Sequence, residues 1–120
     1  MRFPYLYRAL AKAGAQIITV PAAFTRPTGQ AHWEVLLRAR AIETGAFVIA
    51  PAQGGRHEDG RGTWGHSIII APWGEILAQS QDDEPGVVMA TLDLDAVARA
   101  REAIPALKNE RAFTGPDAPP

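Results

Sequence analysis

Few side chains in this 120-residue sequence are equipped to make or break bonds. His32, His57 and His66 are its three histidines, and no two of them stand at His-x3-His spacing. A helical metal pair is therefore not encoded, and no metal is expected. Ser67 follows His66, but a serine nucleophile needs a base held by a third group and an oxyanion hole. Gly65-His66-Ser67 is also not the Gly-x-Ser-x-Gly elbow. Glu34 has the chemistry of a general base, yet Arg38 stands four residues on, in the order that forms a helix-surface ion pair. The only lysines, Lys12 and Lys108, fall on segments expected to be exposed or terminal, without the burial that activates an amine. With no cysteine there is no thiol nucleophile, no thiolate zinc site and no disulfide. Five glycines crowd residues 54–65, but no Gly-Lys-Ser/Thr and no following helix make a phosphate loop of them. They fit hairpin ends or a loop beside a pocket.

The elements that must position these groups alternate between helix and strand. Pro4 and Gly14 bracket a helix with Leu6, Ala9, Leu10 and Ala13 as its apolar stripe. Residues 17–20, apolar but for Thr19, and the continuously apolar residues 47–50 predict strands buried on both faces. Between them residues 22–30 read as a loop and residues 32–44 as a helix stopped by Gly45. That helix is apolar on two sides, with Trp33, Leu37 and Ala41 on one and Val35, Ala39 and Ile42 on the other. Such a helix is normally buried between layers, and here the second layer can come from another chain. Beyond it lie a glycine-rich loop over 53–65, a strand over 67–70, a Pro72-Trp73-Gly74-Glu75 turn and its return strand over 76–78. An acidic loop over 79–86 and a last strand over 87–92 come next. Asp93 or Asp95 then caps a helix to about Ile104, and residues 106–120 read as a flexible tail.

Composition narrows the class. The chain is 47% hydrophobic and 21% charged, with a net charge of −1, as for one ordinary globular domain. Near-neutral charge argues against nucleic acid as a partner. No apolar run approaches the roughly 18–20 residues that span a bilayer, so no membrane is expected. The lack of cysteine is compatible with a reducing, cytoplasmic setting. Residues 1–62 carry eight basic and four acidic side chains, and residues 63–120 carry four and nine, without a run of either sign. From the residues alone this is an α/β domain without an assembled active site.

An ordered set of segments resembles the nitrilase, or carbon–nitrogen hydrolase, superfamily. They are Arg2-Phe3-Pro4, Pro21-Ala22-Ala23-Phe24, the stretch from His32-Trp33-Glu34 to Ile42-Glu43, Gly65-His66-Ser67 with Pro72-Trp73-Gly74-Glu75, and Asp93-Leu94. Their spacing matches the family from residue 1 to about 105, with the ω-amidase and deaminated-glutathione-amidase branch favoured. The resemblance implies an αββα sandwich, of which this chain is the C-terminal part. It implies hydrolysis of small linear amides by a Glu-Lys-Cys set without a cofactor. Cysteine attacks the amide carbon, glutamate is the base and lysine holds the oxyanion. In the family that cysteine stands just before the segment matched by Met1-Arg2-Phe3-Pro4, and the Glu and Lys lie further upstream. No catalytic residue is thus expected among the 120, and the chain alone should be inactive. The resemblance places Phe24, Thr25, His32 and Trp33 beside the substrate. It also implies a homo-oligomer paired through helices 4–14 and 32–44. The alternative is a non-catalytic subunit that pairs with a separate chain carrying the three groups. Tyr5, Thr44 and Ala71 stand where the family often has Glu, Asn and Asp, which implies a weakened charge contact near the site and a looser turn before Pro72. Without the remaining polypeptide, apolar surface and a free sheet edge should drive self-association.

Overall fold

In the computed structural model, residues 1–116 are described. The expected tail therefore lies partly outside the described residues. The elements are α1 (Pro4–Lys12), β1 (Ile17–Thr19), α2 (Arg26–Thr28), a π-helical turn (Gly29–Trp33), α3 (Glu34–Thr44), β2 (Phe47–Ala50), β3 (Gly54–Arg56), β4 (Gly62–Trp64), β5 (Ile68–Ile70), β6 (Ile76–Gln79) and α4 (Asp95–Ala103). Four strands form one sheet in the order β1-β2-β5-β6. β1 and β2 run parallel, and the other two pairs are antiparallel. β3 and β4 form a separate hairpin.

The core lies between this sheet and the helices. Register aligns Ile18, Val48 and Ile70 in one row across three strands. That face meets Tyr7 of α1 and Trp33, Leu37 and Ala41 of the long helix in one buried cluster. Each of the larger side chains contributes on the order of 1.5–3 kcal/mol by leaving water. The opposite face is unevenly covered: Phe47 and Ile69 are buried, while Ile17 and Thr19 are exposed. β1 is therefore not buried on both faces as its apolar run predicts. It is an edge strand, and only Ile18 of its three residues reaches the core.

Three further expectations are corrected. The stripe Leu6, Ala9, Leu10 and Ala13 faces outward, and α1 buries Tyr7 and Ala11 instead. The deciding contact is Tyr7, whose ring packs under the guanidinium of buried Arg40. The glycine-rich stretch is a true hairpin, with Gly54 opposite Trp64 and Arg56 opposite Gly62. Residues 87–92 form no strand: they pair with no neighbour among the described residues, and Val87 and Met89 stand in solvent. A strand needs a partner, and the sheet described here offers none to this segment.

α4 is tied to the rest by one arginine. The Arg101 guanidinium donates to the carbonyls of Thr44 and Ala15, just before β2 and β1 respectively. The helix cap is Leu94, without a side-chain cap hydrogen bond, rather than the expected Asp93 or Asp95; just before it Asp93 accepts from the Asp95 N–H at 3.1 Å. Beyond α4, Arg8 donates to the carbonyls of Ala106 and Leu107, and Arg8 and Lys12 both donate to Glu110. The first residues of the expected tail are thus fastened to α1. At Thr44 the hydroxyl donates to the Arg40 carbonyl at 2.7 Å. The turn after Ala71 closes by the Ala71 N–H to the Glu75 carbonyl at 2.8 Å, so alanine there does not open it.

The outward side of α3 is the sharpest feature of this layer. Val35 is 61% exposed and Ile42 53%, whereas Leu37 is wholly buried. Of the two apolar sides that the sequence predicts, the structure turns Trp33, Leu37 and Ala41 inward. Val35→Lys should change stability by no more than about 0.5 kcal/mol and raise solubility. Leu37→Lys should remove more than about 3 kcal/mol by burying a charge in a filled core. Thermal melts and light scattering of the two variants test this; equal unfolding by both contradicts it.

The tail anchor makes a pH prediction. Hydrogen bonds from Lys12 and Arg8 hold the Glu110 carboxyl below its ordinary 4.5. A lowered carboxylate contributes above its unfolded value, and that contribution is lost as pH falls through the folded value. Amide exchange of residues 106–109 should accelerate only below the ordinary carboxylate range, and Glu110→Gln should show the faster exchange already at neutral pH.

Candidate functional site

The carboxyl ends of parallel β1 and β2 open into a cleft of about 1030 Å³. Pro21 to Ala23 and Pro51 to Gly54 form one side, Gly65 to Ser67 the floor, and the acidic segment 82–88 the far wall. That wall lies tight on the hairpin. A Cβ on Gly54 would overlap the Asp83 carbonyl, and one on Gly65 would come within 2.8 Å of the Asp83 Cα. Arg26 forms an ion pair with Asp83, and the His66 N–H donates to the Asp82 carbonyl at 3.2 Å. The acidic loop can approach only because two glycines leave room for it.

His66 is the one non-glycine residue with positive φ among the described residues, at 60°. For an L-residue the left-handed region costs roughly 1–2 kcal/mol. Three contacts hold it there. Its N–H goes to Asp82, its carbonyl accepts from the buried Trp33 indole at 2.8 Å, and its ring stacks on Trp64 at 4.1 Å. Strain kept in place by its surroundings is characteristic of working sites. Ser67 is not activated: its hydroxyl oxygen accepts from the Ala52 N–H, and no base stands against it among the described residues.

Beside the cleft, three of the four residues expected at the substrate gather around Arg2. The Phe24 and Trp33 rings meet edge-on at 5.2 Å, the Arg2 guanidinium lies 5.1 Å over Phe24, and it donates to His32 Nδ1 at 3.1 Å. Because arginine only donates, His32 must accept at Nδ1 and carry its proton on Nε2. Trp33 is fully buried, so its ring is packing and its indole N–H is the link to the cleft floor. Thr25 stands apart, with its hydroxyl against that of Thr28. None of the four lines the cleft itself. Arg2 and His66 stand in segments that carry the family resemblance, but their roles, like the Arg26–Asp83 pair, stayed unread because they depend on contacts far apart in sequence. Glu34 faces Arg38 at 3.9 Å on the helix surface, as the spacing predicts. Among the described residues no cluster of His, Cys, Asp and Glu could hold a metal ion, and no helix is long and apolar enough to cross a membrane.

The family model for carbon–nitrogen hydrolases matches residues 1–102. The chain belongs to the carbon–nitrogen hydrolase family. Deaminated glutathione amidase from Homo sapiens is 50% identical over 111 residues, which are 92% of this chain and 34% of that protein. The Caenorhabditis elegans NitFhit crystal structure superposes with a TM-score of 0.85 at 45% identity, over 92% of this chain and 26% of that one. An amidase from Nesterenkonia sp. AN1, with an acetamide moiety covalently added at its active-site cysteine, gives 0.71 at 29% identity, over 91% and 37%. The α/β fold is thus that of the nitrilase superfamily, and the chain spans about a third of the human relative's length.

Gly54→Ala tests the close approach of the acidic loop. It should cost about 1–3 kcal/mol by overpacking and speed proteolytic cleavage within residues 81–86. Gly86→Ala, where a Cβ meets nothing closer than 4.0 Å, is the control and should leave both unchanged.

Proposed function

We propose that this chain supplies the C-terminal third of a carbon–nitrogen hydrolase acting on a small linear amide, with the catalytic Glu, Lys and Cys contributed by polypeptide outside these 120 residues. Coverage carries this reading: a 50% identical relative is matched over nearly all of this chain but only 34% of itself. The chain has no cysteine, and the Nesterenkonia amidase reacts through one. In the completed enzyme the thiolate adds to the amide carbon, ammonia or an amine leaves, and water cleaves the thioester to free the acid and restore the thiol. This chain's share is to bound the substrate. Beside the cleft, half-buried Phe24 offers an apolar ring backed by buried Trp33, exposed His32 held by Arg2 presents an Nε2–H donor, and exposed Thr25 adjoins Phe24. The deaminated-glutathione-amidase branch is favoured by the identity of the human relative.

Exposed Leu6 and Leu10 on α1 and Val35 and Ile42 on α3 support pairing of two copies through these helices. They equally support the second reading, a subunit completed by a separate chain, and the whole would act in the cytoplasm. A hybrid tests the first reading, with this chain replacing the matching third of the human amidase. The hybrid should turn over small linear amides and the 120-residue chain alone should not. Turnover by the purified chain, or a folded hybrid without activity, overturns it. Activity on mixing this chain with the separate remainder selects the subunit form.

A further inference from the structure

We propose that His66 is a ligand-binding residue, whose bare Nε2 accepts a hydrogen bond from an amide N–H entering the cleft. His66 Nδ1 lies 2.5 Å from the Trp64 carbonyl oxygen. A carbonyl can only accept, so Nδ1 must carry the proton, and in the neutral ring Nε2 is left as a lone pair. Nε2 has no hydrogen-bond partner among the described residues, and no buried side-chain nitrogen among them is left unsatisfied, so it remains open to solvent. The residue forms part of the cleft floor. Stacking on Trp64 and the two backbone hydrogen bonds fix the ring before any ligand arrives, so binding costs little ordering.

The identity of the ligand as an amide rests on the hydrolase reading; the state of the ring does not. Two measurements separate them. In the 120-residue chain carrying Val35→Lys for solubility, two-bond proton–nitrogen spectra of labelled histidine should show His66 protonated on Nδ1. Propionamide should move its Nε2 resonance, and N,N-dimethylpropionamide, which has no N–H, should not. In the hybrid enzyme, His66→Phe keeps the stacked ring but not the acceptor. It should raise KM for propionamide about tenfold, the value of one neutral hydrogen bond, with a smaller change in kcat. His66→Asn tolerates the left-handed backbone and keeps an acceptor, so it should recover most of the loss. An Nε2-protonated ring, an Nε2 resonance indifferent to propionamide, or an unchanged KM in folded His66→Phe overturns the proposal. An inactive hybrid counts against the hydrolase reading alone, and the spectra still decide the role of His66.

Discussion

The indole of Trp33 joins the three parts of this structure that matter. Its ring is buried against the sheet, its edge meets Phe24, and its N–H donates to the carbonyl of the strained His66. An indole inside a core must satisfy its one donor, and the only use made of it here is to hold a left-handed residue on the cleft floor. Packing and site geometry are therefore not separable at this position. The helix cannot shift without releasing His66, and His66 cannot relax without leaving a buried donor unpaired.

Around that point the molecule shows an asymmetry of coverage. The helix-facing side of the sheet is a filled core, whereas the β1 edge, the outer faces of α1 and α3 and the segment 87–92 all present apolar groups to solvent. A freestanding domain would cover more of these surfaces. Under the reading proposed above, these are the surfaces that a further layer or strand would cover.

Much of this was legible in the sequence for physical reasons. Helix 34–44 announced two apolar sides because Val35 and Ile42 sit seven residues apart, out of phase with Leu37 and Ala41. Strands β2, β5 and β6 were legible from apolar runs bounded by turn residues. β1 misled because composition cannot tell an edge strand from a central one. The strands of the β3–β4 hairpin stayed unread, although its glycines fit hairpin ends, because glycine carries no side-chain alternation, and residues 87–92 read as a strand because strand formation depends on a distant partner. Phe24 and Trp33 entered through family resemblance and do meet in space. His66 stood in a matched segment but was not read as a site residue, since neither its backbone strain nor its tautomer leaves a mark in the sequence.

The π-helical turn Gly29–Trp33 sets the frame of the long helix. Two anchors flank it: Gly29 lies so close to Trp64 that a Cβ would overlap that side chain, and Trp33 reaches His66 two residues further along the same strand end. An α-helical turn between these anchors would be one residue too short, and a π turn absorbs the extra residue without rotating the rest of the helix. The helix therefore has a one-residue allowance built in at this turn and nowhere else. Loss of exposed Gln30 or Ala31 can be taken up by reverting to α geometry, whereas one residue added between Trp33 and Leu37 would swing Leu37 by about 100° out of the core. Length variation along this helix is tolerated by position, and the turn that holds Trp33 is also the place where the chain keeps its count.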